Sequence, residues 1–187
     1  ELPALIDALR HGQYAGFNIT IPLKIAVTSH LDRLSATAHA IGAVNTVCRS
    51  TSGEAVGHNT DASGFADALR AFQVGPVGRV VIFGAGGAAR AAAWQLSTTG
   101  WNVTVGARRV DQAQDLADAW RGVEAVELGT SAGMDRAHDA SLWVNALPLA
   151  AGDGLIRATL ASASAAPRCA MDLAYARRGG ATPFVAA

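Results

Sequence analysis

Along the C-terminal part of the chain, short apolar runs alternate with segments whose apolar residues recur at helical spacing. Such runs are typical of strands buried on both faces, and the spacing between them predicts helices. The predicted strands span residues 80–83, 101–106, 123–128, 142–146 and 169–173, and the predicted helices span 88–97, 110–120 and 155–161. This order predicts an α/β fold, a doubly wound parallel sheet with helices on both faces.

The N-terminal part has a different pattern, in which shorter strands and helices are mixed. The elements predicted first are helices at residues 3–9, 22–31 and 34–41 and a strand at 16–21. Strands at 43–49 and 54–58 flank a Ser-Thr-Ser-Gly turn, which predicts a β-hairpin. We therefore expect a smaller α/β domain over residues 1–61 and the parallel-sheet domain over residues 62–187.

A helix is predicted where the two parts meet. Its apolar face carries Phe65, Leu69 and Phe72, and Asp61 stands in front of it at the N-cap position. A Gly-Pro-Val-Gly segment then separates this helix from the first buried strand.

A glycine-rich turn directly follows that strand and opens the next helix. Gly84 permits a tight turn, Gly86 lets the backbone approach a pyrophosphate closely, and Ala89 keeps the helix near the strand. The helix N-terminus adds free N–H groups and the positive end of a dipole. The predicted contacts to a dinucleotide are Gly84, Ala85, Gly86, Gly87 and Ala88, in a sheet of the Rossmann type.

The residues after the next predicted strand indicate which nucleotide binds. NAD sites place a carboxylate about 20 residues after the first glycine, where it binds the ribose 2′-hydroxyl. Here the strand at 103–105 leads instead to Arg108 and Arg109. A guanidinium can pair with a 2′-phosphate, so the pattern favours NADP over NAD. The alternative is that both arginines are solvated loop charges.

Composition excludes several classes of function. Half of the 187 residues are hydrophobic and 16% are charged, which is a core-forming composition. Fifteen basic and fifteen acidic residues cancel, so nothing electrostatic indicates a nucleic-acid partner. No apolar run approaches the roughly 20 residues that a membrane-spanning helix needs, and we expect no membrane segment.

The cysteines and histidines give no metal signal. Cys48 and Cys169 lie far apart, and we interpret them as two buried free thiols in a reducing cytoplasm. The five histidines show no metal-ligand spacing, so no metal site is expected. The chain opens on Glu1 without a signal segment and closes on an apolar stretch, and we expect both ends to be cuts through a larger fold.

A site that moves hydride also needs a group that gives or takes a proton. Lys24 and Asp61, at the ends of predicted strands, are the candidates, because a carboxylate can orient a lysine and stabilise its charged form. Lys24 would stand in the first turn of the helix at 22–31, where the helix dipole disfavours a cation, and such a conflict favours a functional reason. Spacing alone favours the simpler interpretation, a surface lysine and a helix cap.

Five parts of the sequence are similar, in order, to signatures of the shikimate dehydrogenase family (shikimate/quinate 5-dehydrogenases). They are NITIPLK at 18–24, GAVNT at 42–46, GHNTD at 57–61, GAGGAAR at 84–90 with the arginine loop, and MDLAY at 171–175 followed by TPF at 182–184. Because the matches run through nearly the whole chain, the resemblance is specific.

The resemblance implies reversible reduction of 3-dehydroshikimate to shikimate with NADPH, a step of aromatic amino-acid and chorismate biosynthesis. It makes Lys24 and Asp61 the catalytic pair and Arg108 the holder of the 2′-phosphate. It implies that Thr20, Asn45 and Tyr175 bind the substrate hydroxyls. The implied cofactor contacts are Gly84, Ala85, Gly86, Gly87, Ala88, Arg108, Arg109, Asn145 and Ala146. A cytoplasmic monomer or homodimer with a small-molecule substrate is the implied form of the protein.

Several positions depart from the pattern of the family. Leu23 stands where the family usually has His, Ala107 occupies a common Asn position, and the loop at 145–149 lacks the usual Thr or Ser. We expect the family's N-terminal serine segment and its last helix pair, which carries a glutamine facing the substrate, to lie outside this sequence. The alternatives left open are a quinate or aminoshikimate dehydrogenase, a catalytically weak NADP-binding paralogue, and, least favoured, a purely structural α/β domain.

Overall fold

The computed structural model describes residues 1–148, 167–174, 182 and 184. Within these residues the strands are β1 (Gly16–Asn18), β2 (Arg33–Leu34), β3 (Thr46–Arg49), β4 (Ala55–His58), β5 (Arg79–Phe83), β6 (Asn102–Ala107), β7 (Val123–Glu127), β8 (Leu142–Asn145) and β9 (Cys169–Asp172). The helices are α1 (Leu2–Arg10), α2 (Ala36–Ile41), α3 (Asp61–Ala71), α4 (Gly87–Thr98), α5 (Val110–Ala119) and α6 (Ser131–His138), and a 3₁₀ helix spans Ala26–His30. The predicted helix at 155–161 lies outside the described residues.

The C-terminal sheet has the strand order β7-β6-β5-β8-β9, and each neighbouring pair is parallel. Alternate residues of β5 point to opposite faces. Val80 and Ile82 pack towards α4 and α5, whereas Val81 and Phe83 pack on the side of α6. Both faces are covered, which explains why the strands read as continuous apolar runs. The predicted doubly wound parallel sheet is confirmed.

The strand order creates a crevice at the carboxyl edge of this sheet. The strands β6 and β8 flank β5, so the connections to them leave the sheet on opposite sides, and ligands of such sheets bind at this point. Gly84 follows β5 there with a φ of 110°, a conformation that favours glycine. A Cβ on Gly84 would also lie 3.2 Å from the carbonyl oxygen of Ala146, in the loop after β8.

The N-terminal sheet is mixed and has the order β1-β3-β4-β2. The predicted hairpin is confirmed, since β3 and β4 pair antiparallel from Thr46 opposite His58 to Arg49 opposite Ala55. The strand β2, which pairs parallel with β4, was not predicted. The buried core of this unit is Ile6, Leu9, Ile19, Val27, Ala38, Val44, Val47 and Ala55. The expected smaller α/β unit is therefore present.

The predicted helix at 22–31 is wrong. The chain turns at 21–25 and then forms only the 3₁₀ helix. The carbonyl oxygen of Lys24 accepts a hydrogen bond from the N–H of Val44 at 2.8 Å. The N–H of Thr28, which an α-helix would direct to that carbonyl, donates instead to Ile25 at 3.2 Å. Long-range backbone pairing therefore prevents the helix, and Lys24 does not stand at a helix N-terminus.

The helix α3 begins at Asp61 itself, with Thr60 at the N-cap position, so the predicted N-cap role of Asp61 is wrong. The N–H of Ala62 donates to the side-chain oxygen of Asn59 at 3.2 Å. Phe65 is buried as predicted, whereas Phe72 ends the helix 74% exposed. The domain division after residue 61 falls in the first turn of α3 and stays a prediction.

Two faces of α4 pack against different parts of the protein. Ala93 and Leu96 are buried against the parallel sheet. On the opposite side, Ala91 is buried with Ile41 and Ala43 of the N-terminal part. The two sheets therefore meet along one helix, and that helix begins at the glycine turn.

The described residues place both cysteines as free thiols. Cys48 is exposed and Cys169 is half-buried, which corrects the expectation that both are buried. The strand β3 turns Val47 into the core and Cys48 outward, and Cys169 lies on β9, at the edge of the described parallel sheet. In the part of the chain that the structure describes, no helix has the length and apolar character to cross a bilayer. The same residues contain no group of three or more His, Cys, Asp or Glu side chains placed to hold a metal ion.

An ion pair joins α1 to the segment before β2. Arg10 donates from Nε and Nη2 to the two carboxylate oxygens of Asp32 at 3.0 and 2.8 Å. Asp32 also accepts from the N–H of Ala55 at 2.7 Å. The bonds from the Arg10 guanidinium, followed by the Ala55 N–H, hold the pKa of Asp32 below its ordinary value of 3.8.

We expect the variant Asp32→Asn to lower Tm by roughly 3 °C at pH 7, because a charged acceptor of several hydrogen bonds is lost. Since the folded-state pKa of Asp32 is depressed, its contribution is complete above pH 3.8 and is lost as the pH falls through the folded-state pKa. The difference in Tm from the unmodified protein should therefore narrow below pH 3.8. Thermal unfolding from pH 7 to pH 3 measures it, and Asp67→Asn, in an exposed pair with Arg70, is the control with little expected effect.

Candidate active site

A cleft of about 650 Å³ lies at the carboxyl edge of the parallel sheet. Its walls come from the turn at 21–25, the glycine turn after β5, the arginine segment after β6 and the loop after β8. The lining residues are Ile21, Pro22, Lys24, Ile25, Gln112 and those at 84–88, 107–109 and 146–148. Segments that are far apart in the sequence therefore face one space, and both sheets contribute to it.

Lys24 and Asp61 form an ion pair beside this cleft. The ammonium Nζ of Lys24 donates to Oδ2 of Asp61 at 2.8 Å, and the two side chains are 15% and 28% exposed. Lys24 comes from the turn after β1, and Asp61 is the first residue of α3. The tertiary structure thus brings together the two residues predicted as a pair, across a sequence separation of 37.

Asn45 holds the carboxylate of this pair in place. Its Nδ2 donates to Oδ1 of Asp61 and to the hydroxyl of Thr60, both at 2.8 Å. Its Oδ1 accepts from the N–H of Thr60 at 2.9 Å and from the hydroxyl of Thr46 at 3.2 Å. The side chain is buried, and both of its polar atoms are satisfied by the protein. Asn45 therefore fixes the start of α3 relative to β3.

Two hydrogen bonds to backbone carbonyl groups keep these segments in register. The N–H of Ile19 donates to the carbonyl of Asn45 at 2.8 Å, which places the chain leading to Lys24 beside β3. The buried side-chain amide of Asn59 donates from Nδ2 to the backbone carbonyl of Ala43 at 2.9 Å. The three segments NITIPLK, GAVNT and GHNTD therefore fold against one another.

The glycine turn has space for a phosphate group. A Cβ built on Gly86 would meet no atom within 4 Å, so this glycine faces open cleft. The helix α4 starts at the next residue, and its first N–H groups have no partner within the helix. A Cβ on Gly87, in contrast, would come within 2.7 Å of the Cβ of Lys24. This contact between the turn and the lysine was not predicted.

Arg108 and Arg109 follow β6, are exposed, and line the same cleft. Gln112 lines it from the first turn of α5 and was missed by the sequence reasoning. Its spacing of four residues from Arg108 would have placed it on the same side of a helix start. These three side chains give the cleft a polar end with two cations.

Asn145 does not line the cleft. Its side chain is 4% exposed, donates to Oδ1 of Asp172 at 2.9 Å and accepts from the N–H of Leu147 at 3.1 Å. Asp172 also accepts from the N–H of Ala174 at 2.9 Å and from the hydroxyl of Thr182. Asn145 therefore joins the ends of β8 and β9 and shapes the loop, in which Ala146 and Leu147 do line the cleft.

Arg90 connects α4 to the end of α2. Its Nε donates to the carbonyl of Ile41 at 3.0 Å, and its guanidinium lies 5.9 Å from the ring centre of Trp120. Burial lowers the pKa of Arg90, and the charge of Asp115 partly opposes this shift. The arginine is therefore placed for its contacts between the two units, away from the cleft lining.

Lys24 is the single lysine of the chain, among fifteen Lys and Arg residues. Arginine does not release its proton in proteins, whereas a lysine ammonium can. A chain that uses arginine at each other cationic position therefore has lysine at the point where a proton could move. This signal is visible in the sequence, and the structure places the lysine beside Asp61 in the lining of the cleft.

Comparison with known proteins identifies the family of this chain. Residues 1–47 match the family model described as the shikimate dehydrogenase substrate binding domain. The shikimate dehydrogenase (NADP(+)) of Aeropyrum pernix is 40% identical over 189 residues, which cover 97% of this chain and 66% of the relative. The chain belongs to the shikimate dehydrogenase family.

Solved structures of the family extend the match to the fold. The shikimate 5-dehydrogenase of Thermus thermophilus in complex with shikimate has a TM-score of 0.76 and 34% identity, and covers 99% of this chain and 66% of that one. The quinate dehydrogenase of Corynebacterium glutamicum in complex with NAD has a TM-score of 0.68 and 36% identity, over 79% of this chain and 54% of that one. The chain spans about half the length of several curated shikimate dehydrogenases that it matches.

The structure brings some of the predicted site residues together and separates others. Lys24, Ala146 and the residues of the glycine turn and the arginine pair share the cleft, and Asp61 contacts it through Lys24. Thr20 is exposed, and its carbonyl accepts from the N–H of Leu23 at 2.9 Å, outside the lining of the cleft. Tyr175 lies outside the described residues.

The sequence reasoning also missed the apolar wall of the cleft. Ile21 and Ile25 are 58% and 43% exposed beside Lys24, and Leu147 and Pro148 face the same space. The sequence shows these two isoleucines close to the single lysine, but only the structure shows that they are exposed. Together these four residues give the cleft an apolar side.

We expect Asn145→Ala to act on stability more than on nucleotide affinity. The substitution removes one of the hydrogen bonds to Asp172 and leaves the N–H of Leu147 without its partner, so Tm should fall by roughly 5 °C. Thermal unfolding and a nucleotide titration measure the two effects. The exposed Asn102→Ala is the matched control, and an unchanged Tm for Asn145→Ala would contradict the role given to this side chain.

Proposed function

We propose that this protein is an NADP-dependent shikimate dehydrogenase, which reduces 3-dehydroshikimate to shikimate reversibly. The observation that carries the proposal is that Lys24, held by Asp61, lines the same cleft as the glycine turn and the arginine pair. Membership of the family supports the same reaction. The activity is proposed for the whole protein, since the chain spans about half the length of several relatives.

The residues of the cleft fit a nicotinamide nucleotide. The open space at Gly86 and the free N–H groups of α4 suit a pyrophosphate. Arg108, with Arg109 beside it, stands where an NAD site would have a carboxylate, and we assign it to the 2′-phosphate of NADP. Ala146, supported by Asn145, would border the nicotinamide end.

When bound, NADPH would supply the hydride that the carbonyl carbon of 3-dehydroshikimate receives. Lys24 donates a proton from Nζ to the carbonyl oxygen, so the substrate gains one hydride and one proton and becomes the alcohol. Asp61 keeps the ammonium oriented before transfer. In the reverse direction Lys24 accepts the hydroxyl proton.

We assign the hydroxyl groups of the substrate to the side of the cleft formed by the N-terminal segments. Thr20 and Tyr175 are proposed as direct contacts. Both polar atoms of Asn45 are already bonded, so its proposed contribution is to present Asp61 and Thr60 to the substrate. Within this proposal, residues 1–61 form the substrate unit and residues 62–187 the NADP unit of a cytoplasmic monomer or homodimer.

Quinate oxidation is the second candidate. The observation that favours it is the similarity to a quinate dehydrogenase crystallised with NAD, at 36% identity. The arginine pair argues for the 2′-phosphate and therefore against NAD as the preferred nucleotide. Turnover of shikimate, quinate and aminoshikimate, each with NADP and NAD, separates these candidates.

We expect Lys24→Ala to lower kcat for shikimate oxidation by about 1000-fold, the usual contribution of a positioned acid or base. Nucleotide affinity should be retained, because the phosphate and ribose contacts are elsewhere in the cleft. NADPH fluorescence titration and the initial rate of NADP reduction measure the two quantities.

The matched variant is Lys24→Arg, which keeps the charge but cannot release a proton, and should be as inactive as Lys24→Ala. An active Lys24→Arg protein would show that charge alone is needed. Nucleotide binding by the unmodified protein without turnover of any of the three acids would favour the weak paralogue over the enzyme.

For the choice of nucleotide, we expect Arg108→Ala to weaken NADP binding by roughly 30-fold, the value of charge-assisted hydrogen bonds to a phosphate. NAD binding should change little, because NAD has no 2′-phosphate. Calorimetric titration with both nucleotides measures the difference, and Arg121→Ala, an exposed arginine away from the cleft lining, is the control. An equal loss for NAD and NADP would contradict the assignment.

A further inference from the structure

The backbone conformation at Gly87 does not require glycine. It is the first residue of α4 and is not among the residues with positive φ. Alanine at a compatible helical position is more favourable than glycine, because glycine loses more conformational freedom on folding. The absence of a side chain at this position therefore needs a reason from packing.

The packing partner of Gly87 is the stem of Lys24. A Cβ on Gly87 would lie 2.7 Å from Cβ, 3.1 Å from Cδ and 3.4 Å from Cγ of Lys24. The nearest of these atoms is bonded to the backbone of Lys24, so a change of side-chain rotamer cannot relieve the overlap. Only a shift of the main chain at Lys24 or at α4 could do so.

Lys24 is held in place on its other sides. Its carbonyl accepts from the N–H of Val44 at 2.8 Å, and its Nζ donates to Asp61 at 2.8 Å. Asp61 is held in turn by Asn45 at 2.8 Å. A lysine displaced from Gly87 would therefore strain the bond to Val44 or lose its carboxylate partner.

The helix is also held in place. Gly87, Arg90, Ala91 and Trp94 recur at the spacing of one helical face, and this face meets the N-terminal unit. Arg90 donates to the carbonyl of Ile41 at 3.0 Å, and Ala91 is buried. The overlap at Gly87 cannot be relieved by moving α4 without breaking these contacts.

We propose that Gly87 is a positioning residue for Lys24: its missing side chain lets the lysine stem lie directly against the start of the nucleotide-binding helix. The catalytic role of Lys24 in this inference rests on the proposed function. The contact between Gly87 and Lys24 rests on the geometry alone. The three glycines then have different roles. Gly84 permits the backbone turn, and Gly86 lets the phosphate approach. Gly87 sets the distance between the nucleotide and the proton donor.

Catalysis gives the first test. Gly87→Ala should lower kcat about 30-fold, since a displacement of roughly 1 Å can cost ~100-fold, while the Kd for NADPH changes less than about threefold. Gly86→Ala is the contrast, because its Cβ meets no protein atom but occupies space assigned to the phosphate. It should raise the Kd for NADPH, whereas Gly87→Ala should act mainly on kcat. A Gly87→Ala protein with unchanged kcat would overturn the proposal.

Stability gives a second test that needs no activity. Gly87→Ala should lower Tm by roughly 4 °C in the unmodified protein, as overpacking does. In a Lys24→Gly background, where each of the three contacting atoms is gone, the same substitution should raise Tm by about 2 °C. Gly86→Ala should shift Tm equally in both backgrounds.

Equal shifts for Gly87→Ala in the two backgrounds would show that Gly87 does not act through Lys24 and would overturn the inference. A protein that turns over none of the three acids would instead contradict the proposed function. The coupling between residues 24 and 87 would still be decided by Tm, so the two failures are distinguishable.

Discussion

The docking of one helix between two sheets is the constraint on which the rest of this structure depends. The inner face of α4 is buried on the parallel sheet through residues such as Leu96, and its outer face meets the N-terminal unit at Ala91 and Arg90. Small side chains on both faces allow the close approach, because interiors pack at nearly crystalline density. The position of the glycine turn relative to Lys24 follows from this packing, since α4 begins where the turn ends.

The polar network around Asn45 is the second element of the site. Asn45, Thr60 and Asp61 are satisfied largely by one another, and Lys24 provides the remaining charge. A half-buried carboxylate without such partners would be costly. The network therefore orients the ammonium of Lys24 and, at the same time, joins three loops that would otherwise be held only at their ends.

Sequence reasoning succeeded where a local rule determines the structure and failed where a distant partner does. Continuous apolar runs predicted the five parallel strands, and the turn chemistry around Gly53 predicted the hairpin of β3 and β4. The helix at 22–31 failed because the carbonyl of Lys24 is bonded by Val44. The pattern of apolar and polar residues does not indicate that long-range hydrogen bond. Likewise, no local pattern predicts the hydrogen bond from Asn145 to Asp172, which joins residues 27 positions apart. The assignment of Asn145 to the cofactor stays a prediction.

The sequence by itself determined the fold class, the glycine turn, the arginine pair and the family, because each is written in residues that are neighbours along the chain. It also contains a single lysine, Lys24, which made this residue the candidate for proton transfer. Only the tertiary structure decided that Lys24 contacts Asp61 and that Gly87 lies against the side chain of Lys24. It also decided that Lys24 and Gly87 line the same cleft as Arg108. The physical reason is that these contacts join segments far apart in sequence, and packing between whole elements sets their distances.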